Sequence, residues 1–483
     1  MKRFGALGLL CVSAVIGCNS VSDGPEPARL AAFRTSAPAY LTPTRPGVTV
    51  TAIATVGDLL PGSGEALAPT PDGIGVWAGR SGVMNLMLNH EVRGVLRIDG
   101  ETDYRYARVS KMEIETQTLG VLSHTYVVDG SEGYEVFCAA NWVDEAEGFP
   151  RGYFFTGEEL DFSGRQVAID EAGSVIEMPW IGHFSHENQI VVPGFTTATV
   201  LLNFDDSTTN PDRNGRSISE LYMYVGRDPD AVMAGDGQLY VFAPRPGESG
   251  NVGDLVAGDS AFGQWKPIPD SVARQPDGAV LQAYVDSIGV YEFVRPEDGW
   301  YDRRPDHWPG AMFYDTGRDE RVLNGARTGP ADPWGSLYYV DFDASDPTAE
   351  SVLTLMARSS GPENGWASPD NGDMLADGTI MLNEDPSNTP WDRPPGVFQL
   401  MMTGPRSVSA GMMIAETSDP DCAGEPGCTE SVRGWETSGI TDASEFLGPG
   451  SWVLTVQAHS KPVPATGLAR ENGQLLLLHV PSD

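Results

Sequence analysis

The sequence predicts an all-β protein: a single large β-propeller, expected to be six-bladed, with loop insertions. Three observations predict it. Short runs rich in Val, Ile, Leu, Tyr and Thr recur from about residue 48 to the C-terminus, several of them alternating apolar and polar residues. They are separated by Gly, Asp, Asn and Pro, and the chain's 56 Gly and 37 Pro suit many tight turns rather than long helices. Strands do not alternate with helices, and no helix longer than three turns is expected, which excludes a parallel sheet with helical crossovers. A two-sheet sandwich seldom absorbs a stretch this long as one unit, whereas a ring of blades does.

Taken in order, the chain opens with basic Lys2 and Arg3, an apolar and small-residue run from Phe4 to Ile16, and the lipobox Val15-Ile16-Gly17-Cys18. Residues 1–17 are therefore expected to be a lipoprotein signal peptide, cut before Cys18, which carries the lipid. That run is shorter than the roughly 20 apolar residues of a transmembrane helix, and no other stretch approaches that length. Residues 18–46, rich in Ser, Pro, Thr and Ala, are expected to form a flexible tether. Residues 47–483 are expected to be the propeller domain. Its strands are expected at runs such as VTVTAIATV from Val48, VMNLMLNHE from Val83, ATVLLNFDD from Ala198, GSLYYVDFD from Gly335, SWVLTVQAH from Ser451 and QLLLLHV from Gln474. No strict repeat period is visible, so diverged blades are expected. The Gly/Pro-rich stretches Asp228–Pro269 and Trp300–Asp332 read as insertions.

Acidic residues outnumber basic ones by 67 to 31, a formal charge of -36 that repels nucleic acid and offers hard oxygen ligands to divalent cations. Of the five cysteines, Cys11 leaves with the signal and Cys18 takes the lipid. Cys422 and Cys428, six apart in an acidic Pro/Gly loop, are expected to pair as a disulfide in an oxidising compartment. Cys138 is left over, as a buried inert thiol or as a reactive or metal-bound one.

Acidic and histidine residues recur at strand ends. They are LNHEV (Asn89, His90, Glu91), FTGEEL (Glu158, Glu159), GHFSHEN (His183, His186, Glu187, Asn188), RPEDG (Arg295, Glu297, Asp298), ASPDNGD (Asp370, Asn371, Asp373) and NEDPSN (Glu384, Asp385). Singly, each phrase more often caps a turn or solvates a loop. Jointly, strand ends from successive blades converge near a propeller's central channel, so carboxylates far apart in sequence can form one metal site, with oxygen ligands for Ca²⁺ and nitrogen or thiolate for a transition metal.

These phrases resemble the PhoX-type alkaline phosphatases and their close relatives, six-bladed β-propellers with an iron and calcium cluster; the sequence looks like a divergent lipoprotein branch. FCAANW (Cys138) leading to RGYFFTGEEL (Glu158, Glu159) is similar to the family's cysteine and Glu-Glu segments. HFSHENQIVV is similar to its Phe-x-His-Glu segment, and Arg295-Pro296-Glu297 and Pro369-Asp370-Asn371 to its Arg-Pro-Glu and Pro-Asp-Asn segments. The resemblance implies that Cys138 bridges ferric ions and that Glu187 and Glu297 are iron-side carboxylates. It makes Glu91, Glu158, Glu159, Asp370 and Asn371 candidates for calcium or supporting positions, and gives Arg295 the planar cationic fork for phosphate oxygens. After Cys138 the sequence reads Ala139-Ala140-Asn141-Trp142 where typical members have Gly-Gly, and its signal is a lipobox without a twin-arginine motif.

The implied activity is hydrolysis of small phosphate monoesters, by a monomer whose membrane contact is its lipid anchor, in the bacterial cell envelope at the outer membrane or periplasmic face. Neither a GxSxG elbow nor a CxxxxxR loop around Cys138 supports a covalent route. Two rivals are a calcium-stiffened surface propeller that binds a partner without catalysis and another calcium-dependent hydrolase, phytase-like or lactonase-like. His459 reads as a structural hydrogen-bonding residue, the NPDRNG segment (Asn210, Asp212, Asn214) as a turn, and Trp142, Trp300 and Trp366 as packing between blades.

Overall fold

The computed structural model describes residues 32–98, 102–207, 219–305, 307, 309–318, 332–386, 391–422, 432–459 and 471–481. The signal peptide, Cys18, Cys428 and the NPDRNG segment lie outside them; Cys422 is disulfide-bonded. The chain is all-β, in a propeller-like arrangement of antiparallel sheets. One sheet holds Pro71–Ala78, Val83–His90, Arg108–Glu115 and Val121–Val128. A second holds Phe137–Val143, Tyr153–Glu158, Gln166–Asp170 and Val175–Glu177. A third is built on Pro369–Met374, Thr379–Glu384, Gly396–Gly404 and Met412–Thr417. A fourth holds Glu436–Asp442, Ser451–Ala458 and Asn472–His479, and its outer strand is Thr49–Thr55 from the other end of the chain.

Where two further separate blades were expected, the chain forms one nine-stranded sheet from His186–Val192 to Pro296–Tyr301. The reason lies in the expected insertion Asp228–Pro269, which contributes two strands. Gly237–Pro244 continues the ladder, and Ser260–Pro267 pairs on its other side with Ser351–Arg358, stitching two four-stranded halves together at the rim. The sheet curls until its end strands, His186–Val192 and Pro296–Tyr301, pack against each other. Strand also enters the second expected insertion, Trp300–Asp332, at the end of Pro296–Tyr301 and over Gly310–Asp315.

The ordered body also begins earlier than the expected tether allowed. Phe33 bridges to Val121, and Leu41–Pro43 pairs with residues 415–417 because Tyr40 and Leu41 have apolar surface to bury against Trp435 and its neighbours. Period-two alternation builds the cores: Val191 shares a cluster with Val143, Phe155 and Ala168 of the neighbouring sheet, while Ile190 and Val192 share one with Phe313 and Tyr338 in the other half of their own curled sheet. Among the described residues the longest helix, Gly278–Ile288, is about three turns long.

Six strands line the axis: Pro71–Ala78, Phe137–Val143, His186–Val192, Pro296–Tyr301, Pro369–Met374 and Glu436–Asp442. Each packs on the next and the last on the first, so they close a ring. Each also starts with the same irregularity, in which three residue steps on the inner strand oppose two on its partner. The bulged tetrads are Pro71-Asp72-Gly73-Ile74, Phe137-Cys138-Ala139-Ala140, His186-Glu187-Asn188-Gln189, Pro296-Glu297-Asp298-Gly299, Pro369-Asp370-Asn371-Gly372 and Thr437-Ser438-Gly439-Ile440. A bulge bends the strand and re-aims the side chain it carries.

Candidate metal centre

The second residue of the tetrads is Asp72, Cys138, Glu187, Glu297, Asp370 or Ser438. All are buried, Asp72 completely. A second tier comes from the residue just past the neighbouring strand in five of the six repeats: Glu91, Glu159, Asp206, Thr316 and Asp385. Their backbone N–H groups donate to the carbonyls of Thr70, Val136, Ser185, Arg295 and Ser368, which fixes each one over the start of its inner strand. Four of those five carbonyl residues, Thr70, Val136, Arg295 and Ser368, sit at positive φ of 48°, 54°, 67° and 42°. Non-glycine residues adopt this conformation rarely, and three of these precede proline, so the surrounding packing enforces it.

The two tiers meet in three overlapping groups: Asp72, Glu91 and Cys138; Cys138, Glu159 and Glu187; Glu187, Glu297 and Asp370. Within each, potential ligand atoms lie within 4.8 Å of one another. The structure thus brings together Cys138, Glu187, Glu297, Glu91, Glu159 and Asp370, with Asn371 beside them accepting a hydrogen bond from Ser438 Oγ at 3.4 Å. Glu158 stands apart. Its carboxylate accepts from Glu135 N at 2.8 Å and from Arg165 Nε and Nη2, so it latches the strand start and does not join the cluster. Asp315 and Glu384 occupy the equivalent place and hold Val294 N and Ala367 N in the same way.

Arg295 is turned inward. Its Nε and Nη2 reach Asp206 Oδ1 and Oδ2 at 2.7 and 3.0 Å, Nη2 lies 2.9 Å from Glu297 Oε1, and Nη1 is buried without a partner among the described residues. The fork offered to phosphate is therefore filled by Asp206. His459 bridges Glu436 and Glu471 at 3.3 and 2.8 Å, and these carboxylates hold its pKa well above the usual value, in keeping with a structural role.

Three participants escaped the sequence reading: Asp72, Asp206 and Glu436. Asp72 and Asp206 carry a signal, since PDGI and NFDD repeat the strand-start and strand-end phrases of their counterparts. Glu436 reaches the cluster through Gln457, whose Nε2 lies 3.0 Å from both Asp72 Oδ2 and Glu91 Oε2 and 3.2 Å from Glu436 Oε1.

The electrostatics are those of an anionic cage. Burial, then neighbouring carboxylates, push Asp72 and Glu91 up to about 8 and raise Glu159, Glu187, Glu297 and Asp370 well above the carboxylate range. The Cys138 thiol, 3.3 Å from Asp72 Oδ2, is pushed up by the same causes. Among the described residues, the cations paired with the acids in and around the cluster are Arg295, His459 and the exposed Arg93, 3.8 Å from Glu159. Buried carboxylates demand compensation by hydrogen bonds, counter-ions or metals. Asp72 Oδ1 and Glu187 Oε1 have no hydrogen-bond partner among the described residues. Six carboxylates and one thiol fit several hard cations plus a softer, thiolate-accepting one. Asn89 Nδ2 holds the Cys138 carbonyl at 2.7 Å, and Gly73 lets its strand approach, since a Cβ there would lie 2.4 Å from Ala140 N.

No protein-family model matches the chain, and no curated protein matches it. Among solved structures it is similar to PhoX of Pseudomonas fluorescens in complex with vanadate, a transition-state analogue. That match has 13% identity and a TM-score of 0.59, covering 93% of this chain and 97% of that one. A protein of unknown function from Dyadobacter fermentans aligns at 8% identity over 90% of this chain and 100% of that one, TM-score 0.45. An α-L-arabinofuranosidase from Fusarium graminearum aligns at 10% identity over 88% and 97%, TM-score 0.38. The likeness to PhoX is one of fold: an all-β, propeller-like chain over nearly its whole length.

Proposed function

We propose that this chain is a metal-dependent phosphomonoesterase of the PhoX type, held in the bacterial cell envelope by a lipid on Cys18. The curled nine-stranded sheet is read as two blades fused at the rim, making six. The common bulge at the start of all six inner strands supports that count. The observation that carries the function is the set of buried and half-buried carboxylates gathered around one buried thiol, with more negative groups than cationic partners among the described residues.

Cys138, Glu187 and Glu297 are the residues that would hold iron. Asp72, Glu91, Glu159 and Asp370 would hold calcium, with Asn371 beside them. Such cations, when bound, act as Lewis acids and neutralise charge on phosphoryl oxygens. The chain's own part is to set the cage: Asn89 orients the Cys138 segment, Asp206 and Arg295 fix Glu297, and Gln457 spaces Asp72 from Glu91 and Glu436. Nη1 of Arg295 is the guanidinium donor left to face a phosphoryl oxygen once a substrate displaces neighbouring side chains.

The test is elemental analysis and turnover of an aryl phosphate, on protein matured in its native compartment. Cys138→Ala is expected to lose iron and activity together, and calcium chelation to abolish turnover reversibly; full activity in Cys138→Ala would sink the assignment. A calcium-stiffened, non-catalytic propeller is the second reading, favoured by the filled guanidinium fork of Arg295. It predicts calcium without iron and no turnover.

A further inference from the structure

The inner strands carry a second chamber beyond the cluster. A cavity of about 330 Å³ is lined by residues that follow the cluster residues on the same strands. Ile74 and Val76 lie beyond Asp72, Trp142 beyond Cys138, Ile190 beyond Glu187, and Trp300 beyond Glu297. Its volume falls in the range of about 300–1,000 Å³ usual for small-ligand sites.

We propose that this cavity binds a neutral sugar of one or two residues, at the end of the channel opposite the carboxylate cluster. Its lining alternates what a sugar requires: apolar surface for C–H faces, and both donors and acceptors for hydroxyls. The apolar belt is Ile74, Val76, Ile190 and Ile440, with Trp142 stacked on Trp77 at 4.0 Å between ring centroids and 9° between planes. Arg303 supplies donors; Asp144, Glu147 and Asp442 supply acceptors, while the Asn141 amide hydrogens are taken by Asn188 Oδ1 and Gln189 O. Trp77 and Trp300, 5% and 3% exposed, also line it, and their indole N–H groups have no acceptor among the described residues. Buried indole N–H groups ordinarily find a partner.

Charge selects against other ligands. One guanidinium, Arg303, faces six carboxylates, so a phosphate ester is repelled. Three of the carboxylates have internal donors to more than one oxygen lone pair. Asp373 pairs with Arg303 at 2.6 Å and accepts from Met374 N and Asp442 N; Glu147 accepts from Asp144 N and Tyr301 Oη; Asp298 accepts from Asn188, Gly299 N and Gly372 N. Carboxylates so compensated retain lone pairs for hydroxyl donors without requiring a cation.

Tryptophan fluorescence and calorimetric titration of the metal-loaded protein test this, with glucose, galactose, xylose, N-acetylglucosamine, maltose and cellobiose as probes and spermidine as the cationic comparison. At least one sugar is expected to bind saturably. Trp142→Ala and Glu147→Gln are each expected to weaken it by about tenfold or more, leaving metal content unchanged. Glu147→Gln keeps the test open should Trp142→Ala fail to fold. No saturable binding of any sugar at tens of millimolar, unaltered binding in Glu147→Gln, or a response to spermidine alone overturns the proposal.

Discussion

At the scale of single residues, the centre is held by conformations and protonation states that the chain would not adopt for its own sake. Thr70, Val136, Arg295 and Ser368 each occupy the left-handed region, at roughly 1–3 kcal/mol apiece, directly before the residue that leads into a cluster ligand. Burial, then neighbouring carboxylates, raise Asp72 and Glu91 from 3.8 and 4.5 to about 8, which favours their protonated forms when no metal is bound. The sign follows: folded-state pKa values above the unfolded ones favour the metal-free fold at low pH, and that contribution is lost as pH rises toward 8. Metal ligation runs the other way, because both carboxylates must ionise to bind. Calcium affinity is expected to climb from about pH 5 to about pH 8 and then level off, with proton release at pH 7. Calorimetry in buffers of differing ionisation enthalpy measures both. Neighbouring Glu158 and Glu159 give a sharper contrast. Glu158→Gln should cost about 1–3 kcal/mol in denaturant unfolding, because the half-buried Arg165 guanidinium and Glu135 N lose a charged acceptor, and leave metal content intact. Glu159→Gln should do the reverse.

At the scale of elements, the bulge is what turns a strand into a ligand carrier. Two residues per repeat oppose one on the partner strand, so one of them leaves the ladder and points at the axis. Close strand approach then keeps the ligands within reach of one another. A Cβ on Gly73 would sit 2.6 Å from Cys138 O, and one on Gly439 would sit 2.4 Å from Asp72 O; both obstacles are backbone, which cannot swing away. Gly73→Ala is therefore expected to push the Cys138 strand outward, lowering thermal stability and metal content together. Differential scanning calorimetry paired with elemental analysis checks it; a variant with native iron and calcium would show that the approach is dispensable.

At the scale of the whole molecule, closure joins the two ends of the chain. Thr49–Thr55 completes the sheet begun by Glu436–Asp442, and Ile53 and Ala54 are buried between that sheet and its neighbour. Deleting residues up to 56 removes this strand and leaves the Asn472–His479 edge bare. The expected loss exceeds about 5 kcal/mol, the upper cost of one large core truncation. It should also abolish metal binding, since Asp72 and Glu436 lie on strands of the two sheets that this strand helps join. Chemical denaturation and metal analysis of the truncated chain read both effects. The net charge of -36 acts at the same scale. It concentrates cations near the molecule.

Local signals determined a good deal. Period-two runs and turn residues marked the strands, the odd number of cysteines singled out Cys138, and acids recurring at strand ends marked Glu91, Glu159, Glu187, Glu297 and Asp370, because each is a property of a few neighbouring residues. Tertiary structure alone decided the rest. Whether Glu158 or Glu159 faces the axis depends on register and on Arg165, seven residues onward. That Asp206 fills the fork of Arg295 depends on packing between strands 89 residues apart. The two halves of the nine-stranded sheet fuse because Ser260–Pro267 finds a partner some 90 residues away. Facing, pairing and proximity of this kind are set by non-local contacts, and no window of sequence contains them.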